Sequence, residues 1–67
     1  MDIPQIQEEL SEIRQAFDAA RARMWQAQQG MALNPISAKT DIELAVENIK
    51  RNLPRLTTLL KEMENGN

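Results

Sequence analysis

The sequence holds few residue types that could carry out catalysis. It contains no Cys, His or Tyr, so thiol nucleophiles, imidazole bases and imidazole metal ligands are missing. Ser11 and Ser37 have no base in a suitable position in the sequence, and no Gly-rich phosphate loop is present. The carboxylates do not have the spacing of a metal site. We therefore expect a protein that is not an enzyme and that needs no metal or cofactor.

One stripe of the first half of the chain has the composition of a protein contact. An exposed Trp flanked by Arg is typical of an interface hot spot. The sequence therefore predicts a partner-binding stripe, with the alternative that the Trp packs on a neighbouring hairpin of an oligomer or under the loop. Its residues recur every three or four positions: Arg14, Asp18, Arg21, Trp25 and Gln28.

A second candidate site is the cluster of Lys50, Arg51 and Arg55. These cations could bind an anion or the phosphates of RNA or DNA. The alternative is a solvated helix face, supported by Glu47 four residues before Arg51. With eight basic against ten acidic residues, the net charge of −2 argues against a general nucleic-acid binder.

Length and composition indicate that the chain does not act alone. A domain of 67 residues without Cys or His has no disulfide or zinc site to stabilise it. Oligomerisation or a partner protein is the remaining route. The acidic N-terminus is not that of a signal peptide, and no apolar run approaches the roughly 20 residues of a membrane span. We expect a cytoplasmic protein without membrane contact.

The elements that position these residues are two helices with heptad patterns. In the first half, apolar residues alternate at spacings of three and four, which predicts a helix over about residues 3–29. Asp2 and Gln5 form a capping box around Pro4, and Gly30 is a natural stop. The pattern consists of Ile3, Ile6, Leu10, Ile13, Phe17, Ala20, Met24, Ala27 and Met31.

The second half repeats this pattern and predicts a helix over about residues 41–64. Thr40 and Glu43 suggest a second capping box, and Gly66 a stop. Pro54 removes one backbone hydrogen bond, so the helix is expected either to continue with a kink or to break near Asn52. The apolar spacing continues unchanged on both sides of Pro54, which favours the kink. The pattern consists of Ile42, Val46, Ile49, Leu53, Leu56, Leu60 and Met63.

The intervening residues 30–40 form the predicted loop of a single antiparallel hairpin domain spanning 1–67. Asn34-Pro35 is the turn signal, and Met31, Leu33 and Ile36 are expected to plug the end of the bundle. Folding the chain there pairs the helices in a defined order: Phe17 with Leu53, Ala20 with Ile49, Met24 with Val46, and Leu10 with Leu60. It also brings Glu8, Glu9 and Glu12 towards Arg55 and Lys61.

Two helices cannot bury such wide apolar stripes against each other. The all-α hairpin is therefore expected to pair into a homodimeric four-helix bundle, with completion by a foreign helix as the second option. The expected oligomer core consists of Leu10, Ile13, Phe17, Met24, Val46, Ile49, Leu53, Leu56 and Leu60.

In length and hairpin pattern the sequence resembles plasmid copy-number regulators, co-chaperones of type III secretion needles and small phage inhibitors, which would imply a bacterial or phage protein. None of their motifs is present. The sequence predicts a protein-binding regulator, inhibitor, chaperone or adaptor that binds through helix–helix contacts. The alternative is a hairpin dimer that binds RNA or DNA through the basic face of the second helix.

Overall fold

The computed structural model describes residues 2–65, which form two helices. Helix α1 spans Ile3–Gly30 and helix α2 spans Pro35–Asn65. The described residues contain no strand, so the expected all-helical hairpin is confirmed. The predicted stop at Gly66 lies outside the described residues.

The N-terminus of α1 is fixed by the predicted capping box. The Asp2 carboxylate accepts a hydrogen bond from the Gln5 backbone N–H at 3.0 Å. The Gln5 side-chain oxygen accepts one from the Asp2 N–H at 3.2 Å. Two backbone donors that a helix start leaves unpaired are thereby satisfied, and Pro4 occupies the first turn without loss of a bond. The predicted bounds of the first helix are confirmed.

The connection between the helices is shorter than predicted. The Asn34 N–H donates to the Gly30 carbonyl at 2.8 Å, which closes the turn directly after α1. The Asn34 side-chain oxygen then accepts from the Ser37 N–H at 3.2 Å. Asn34 is thus an N-cap and Pro35 the first residue of α2, two roles that these residue types favour.

The expected start of α2 at Asp41 is therefore wrong. Thr40 is not a cap: its hydroxyl donates to the Ile36 carbonyl at 3.3 Å, one turn back inside the helix. The Asn34-Pro35 pair stops one helix and starts the next, so residues 35–40 of the predicted loop add about one and a half turns to α2.

Helix α2 continues through Pro54. The expected continuity is confirmed, and a break near Asn52 does not occur. Pro54 is exposed, so the Lys50 carbonyl that loses its helical donor lies on the solvent side. A kink at this point stays a prediction.

The two helices meet along columns of residues spaced by seven, which we call the seam. Four of its members are Ala, each no more than 3% exposed. Such small side chains allow close approach of the two backbones. The seam consists of Ile6, Ile13, Ala20 and Ala27 in α1, and of Ala38, Ala45, Asn52 and Leu59 in α2.

Asn52 is the polar member of the seam and is 6% exposed. Its amide nitrogen donates to the Asn48 carbonyl oxygen at 2.8 Å and lies 3.3 Å from the Asn48 side-chain oxygen. A buried amide is tolerated when it is hydrogen-bonded in this way. It interrupts the apolar seam between Ala45 and Leu59.

Ion pairs across the seam define the antiparallel register. Arg55 contacts Glu9 at 3.1 Å, and Arg23 contacts Asp41 at 3.4 Å. This register places Ala20 level with Ala45. The hairpin is a slab whose Cα atoms extend 51 × 17 × 10 Å.

The expected pairing of the helices is wrong in register and in the face that α2 uses. Ala20 lies level with Ala45, not Ile49. The prediction placed Val46, Ile49, Leu53 and Leu60 of α2 in the contact between the helices, whereas the column that is buried there consists of Ala38, Ala45, Asn52 and Leu59. The predicted pairs that this register contradicts are Phe17 with Leu53, Ala20 with Ile49, Met24 with Val46, and Leu10 with Leu60.

The apolar residues near the turn do not plug the end of the hairpin. Leu33 is 90% and Ile36 80% exposed, and Met31 is also exposed. Helix α2 starts so early that Ile36 belongs to its first turn, and Leu33 lies at the tip of the connection. Within residues 2–65, no other part of the hairpin covers these side chains.

Candidate functional site

The broad faces of the slab follow from the position of the seam. Successive helical residues are turned by about 100°, so residues three and four positions after a seam residue lie on opposite sides of it. Glu9, Arg23, Asp41 and Arg55 are each three positions after a seam residue. Because the ion pairs bring these residues together, the residues four positions after the seam must meet on the other broad face.

That second face is almost entirely apolar. On α2 it includes two adjacent columns of residues spaced by seven, one through Ile49 and one through Leu53. On α1 it includes the single column through Phe17. Leu53 is 51% and Leu60 56% exposed, while Phe17 and Ile49 are half-buried. We call this surface the apolar face; it consists of Leu10, Phe17, Met24, Ile42, Val46, Ile49, Leu53, Leu56 and Leu60.

The apolar face contains the residues predicted to form an oligomer core, with one exception. Ile13 is 1% exposed and lies in the seam between α1 and α2, so it is not available to a second chain. The other predicted core residues are all on the apolar face. Their role in an oligomer stays a prediction.

The opposite face is organised by charge, and we call it the ion-paired face. Arg55 donates to Glu9 and also to Glu12, at 3.3 Å. Arg23 donates to Asp41, whose side chain is only 18% exposed. The expected approach of the acidic N-terminal segment to Arg55 is confirmed. An ion pair of Lys61 is not found among the described residues.

The stripe around Trp25 lies at the outer edge of α1. Trp25 is 62% exposed, and its expected position off the seam is confirmed. Together with Asp18 and Arg21 it lines a shallow groove. Arg14, Gln28 and the other members are exposed as well. Contact of this stripe with a partner stays a prediction.

The predicted basic cluster is divided between two surfaces. Arg55 is bound by two carboxylates on the ion-paired face. Lys50 and Arg51 are exposed and form no ion pair within residues 2–65. Only two adjacent cations therefore remain for an anion or nucleic acid, and binding of either stays a prediction.

No group of residues capable of holding a metal ion is found in the described part of the chain. Within the same residues, neither helix combines the length and hydrophobicity required to cross a membrane. The surface depressions are shallow; one is lined by Glu9, Pro54, Arg55 and neighbouring α2 residues.

Sequence reasoning missed two structural features. The first is the cap formed by Asn34, for which Asn-Pro followed by Ser37 was the available signal. The second is the seam of α2, whose signal was the recurrence of Ala38 and Ala45 with the spacing of Ala20 and Ala27. Neither signal decides the prediction, because the heptad pattern from Ile42 onwards is more regular and contains larger apolar residues.

Comparisons with protein-family models, with curated proteins and with solved structures gave no match for this chain. The geometry of the apolar face is therefore the main basis for a function.

Proposed function

We propose that this chain is a non-enzymatic protein-binding module that acts through helix–helix contacts made by its apolar face. It would serve as a regulator, inhibitor, chaperone or adaptor of another protein. The observation that carries the proposal is the segregation of the hairpin into an apolar face and an ion-paired face. Large contiguous apolar patches on a small protein mark interaction surfaces.

The shape of the apolar face favours helices as its ligands. The slab is 51 Å long and only 17 Å wide, and its apolar columns run parallel to the helix axes. Another pair of helices would fill the shallow valley between α1 and α2 by ridges-into-grooves packing.

We further propose that a second copy of the chain covers this face and forms a homodimeric four-helix bundle. A standard interface buries about 800 Å² per partner, and a slab of this length and width provides such an area. The α1–α2 contact alone buries an Ala-rich seam and leaves most large side chains wet. Fully burying one of them contributes roughly 1.5–3 kcal/mol.

A foreign protein has two routes to this dimer. It can replace one hairpin on the apolar face, or it can bind the exposed stripe around Trp25 while the dimer stays intact. The Arg and Trp content of that stripe supports the second route.

Site-specific photo-cross-linking in the native host tests the proposal. A photoreactive amino acid replaces Leu53 on the apolar face, Trp25 on the stripe, or Thr58 on the outer surface of α2 as the control. We expect Leu53 to cross-link to a second copy or to one discrete protein, and Trp25 to cross-link to a discrete protein. Equal, diffuse labelling at all three positions would contradict the proposal.

A further inference from the structure

The two helices contribute unequal widths to the apolar face. Beyond the column of Phe17, the next column outward on α1 is polar and contains Arg14 and Arg21 between Gln residues. The equivalent column on α2 is apolar: it contains Val46, Leu53 and Leu60. The outer edge of the face is therefore polar on α1 and apolar on α2.

Two such faces can pack with two-fold symmetry in two ways. In one, each helix packs against its own counterpart, so that α1 faces α1 and α2 faces α2, with the turns at opposite ends. In the other, α1 faces α2 of the second copy, with both turns at the same end. All neighbouring helices are antiparallel in either case, so helix direction does not distinguish them.

Polarity at the edges does distinguish them. If α1 faced α2, the guanidinium groups of Arg14 and Arg21 would lie against Leu53 and its apolar neighbours, which would strip them of water without supplying an acceptor. If like helices face each other, the apolar edges of α2 bury one another. The polar edges of α1 then meet in contact with water.

The positions along the axis agree with this arrangement. Phe17 is the middle member of its column, between Leu10 and Met24, and Ile49 is the middle member between Ile42 and Leu56. The register of the hairpin places Phe17 and Ile49 at nearly the same level, so one two-fold axis can pass close to both. Each column then packs against itself about its own centre.

We propose that two copies associate with α1 against α1 and α2 against α2, with their turns at opposite ends and with Phe17 and Ile49 near the two-fold axis. This inference rests on the proposed homodimer. It also places Trp25, Arg14 and Arg21 of both copies on one shared surface, so the partner-binding stripe has contributions from two chains.

Disulfide cross-linking tests the arrangement, since the chain has no Cys of its own. Variants Phe17→Cys and Ile49→Cys are oxidised separately and as a mixture in which one carries a size tag. Near the axis, equivalent residues approach to the 4.4–6.8 Å Cα separation of a disulfide. In the other arrangement, the two copies of α1 lie diagonally across the bundle. Their axes are then roughly 14 Å apart, given about 10 Å between the axes of neighbouring helices, which is too far for a disulfide.

We expect each variant alone to give a cross-linked dimer, while Thr58→Cys on the outer surface of α2 gives none. A mixture of Leu10→Cys and Met24→Cys should also cross-link, and it serves as the second test if either single variant loses its helical circular dichroism.

Cross-links that appear only between Phe17→Cys and Ile49→Cys would overturn the arrangement and leave the four-helix bundle standing. A dimer that none of these cysteines cross-links would also overturn it. A chain that sediments as a monomer before oxidation would refute the dimer itself.

Discussion

The two broad faces of the hairpin lie on opposite sides of the same seam and differ in what covers their side chains. On the ion-paired face, Arg55 is held by Glu9 and Glu12, and Arg23 by Asp41. On the apolar face, side chains such as Leu53 remain half exposed. These two arginines are paired within one chain, whereas the side chains of the apolar face are only partly covered by it.

This difference separates two tasks in the sequence. Ala residues in the seam and the ion pairs beside it determine how the chain folds on itself. Apart from Ile6, Ile13 and Leu59, most large apolar residues lie outside the seam and stay at least partly exposed. Substitutions on the two faces should therefore affect different measurements.

The largest effect is expected from a charge in the middle of the apolar face. Leu53→Glu buries a carboxylate in the proposed interface and should weaken the dimer by about 2–4 kcal/mol, or roughly 30- to 1000-fold in Kd. Sedimentation equilibrium measures the change. Thr58→Glu, on the outer surface of the same helix, is the matched control. Equal dimer affinity for the two variants would mean that the face is not an interface.

A seam substitution should instead destabilise the hairpin itself. Ala20 is 1% exposed and lies level with Ala45, so Ala20→Leu forces the helices apart and should cost about 1–3 kcal/mol. Urea unfolding followed by circular dichroism measures this loss. Ala22→Leu on the exposed outer side of α1 should change the free energy of unfolding by less than about 0.5 kcal/mol. If the two variants were equally stable, the Ala columns would not form the seam.

The N-cap of α2 should have an intermediate effect. Asn34→Ala removes the side-chain oxygen that accepts from the Ser37 N–H and should cost about 1 kcal/mol. Thr40→Ala tests the alternative start of the helix and should be nearly neutral. If thermal unfolding showed a larger loss of stability for Thr40→Ala than for Asn34→Ala, the helix would start near Asp41.

The smallest effect is expected on the ion-paired face. Arg55→Met removes the contacts with Glu9 and Glu12, which are partly exposed, and should cost about 0.2–1 kcal/mol at low salt. The loss should shrink in 1 M salt because mobile ions screen the charges. Arg51→Met is the control, since Arg51 has no carboxylate contact among the described residues. A large, salt-independent loss for Arg55→Met would show that the residue acts through packing.

The sequence predicts local features better than it predicts which surfaces meet. The start of α1 is readable because Asp2, Pro4 and Gln5 act within one turn. The start of α2 is not, since Asn34-Pro35 is both a turn signal and a cap followed by the first helical residue. Only the hydrogen bond from Ser37 separates the two roles.

The composition of the apolar face is predictable from the heptad pattern, but its position relative to the seam is not. Each helix carries more than one column of small or apolar residues, and periodicity alone does not say which column meets the other helix. Close packing of Ala20 and Ala45 within the hairpin leaves Leu53 and Leu56 exposed. Which column packs inside the hairpin depends on the fit of the two helices as a whole.

The central claim is that the apolar face is completed by a second copy of the chain. Light scattering coupled to size exclusion at micromolar concentration tests it most directly. We predict a mass twice that of the 7.7 kDa chain and a melting temperature that rises with protein concentration. A 7.7 kDa species that melts cooperatively at a temperature independent of concentration would contradict it.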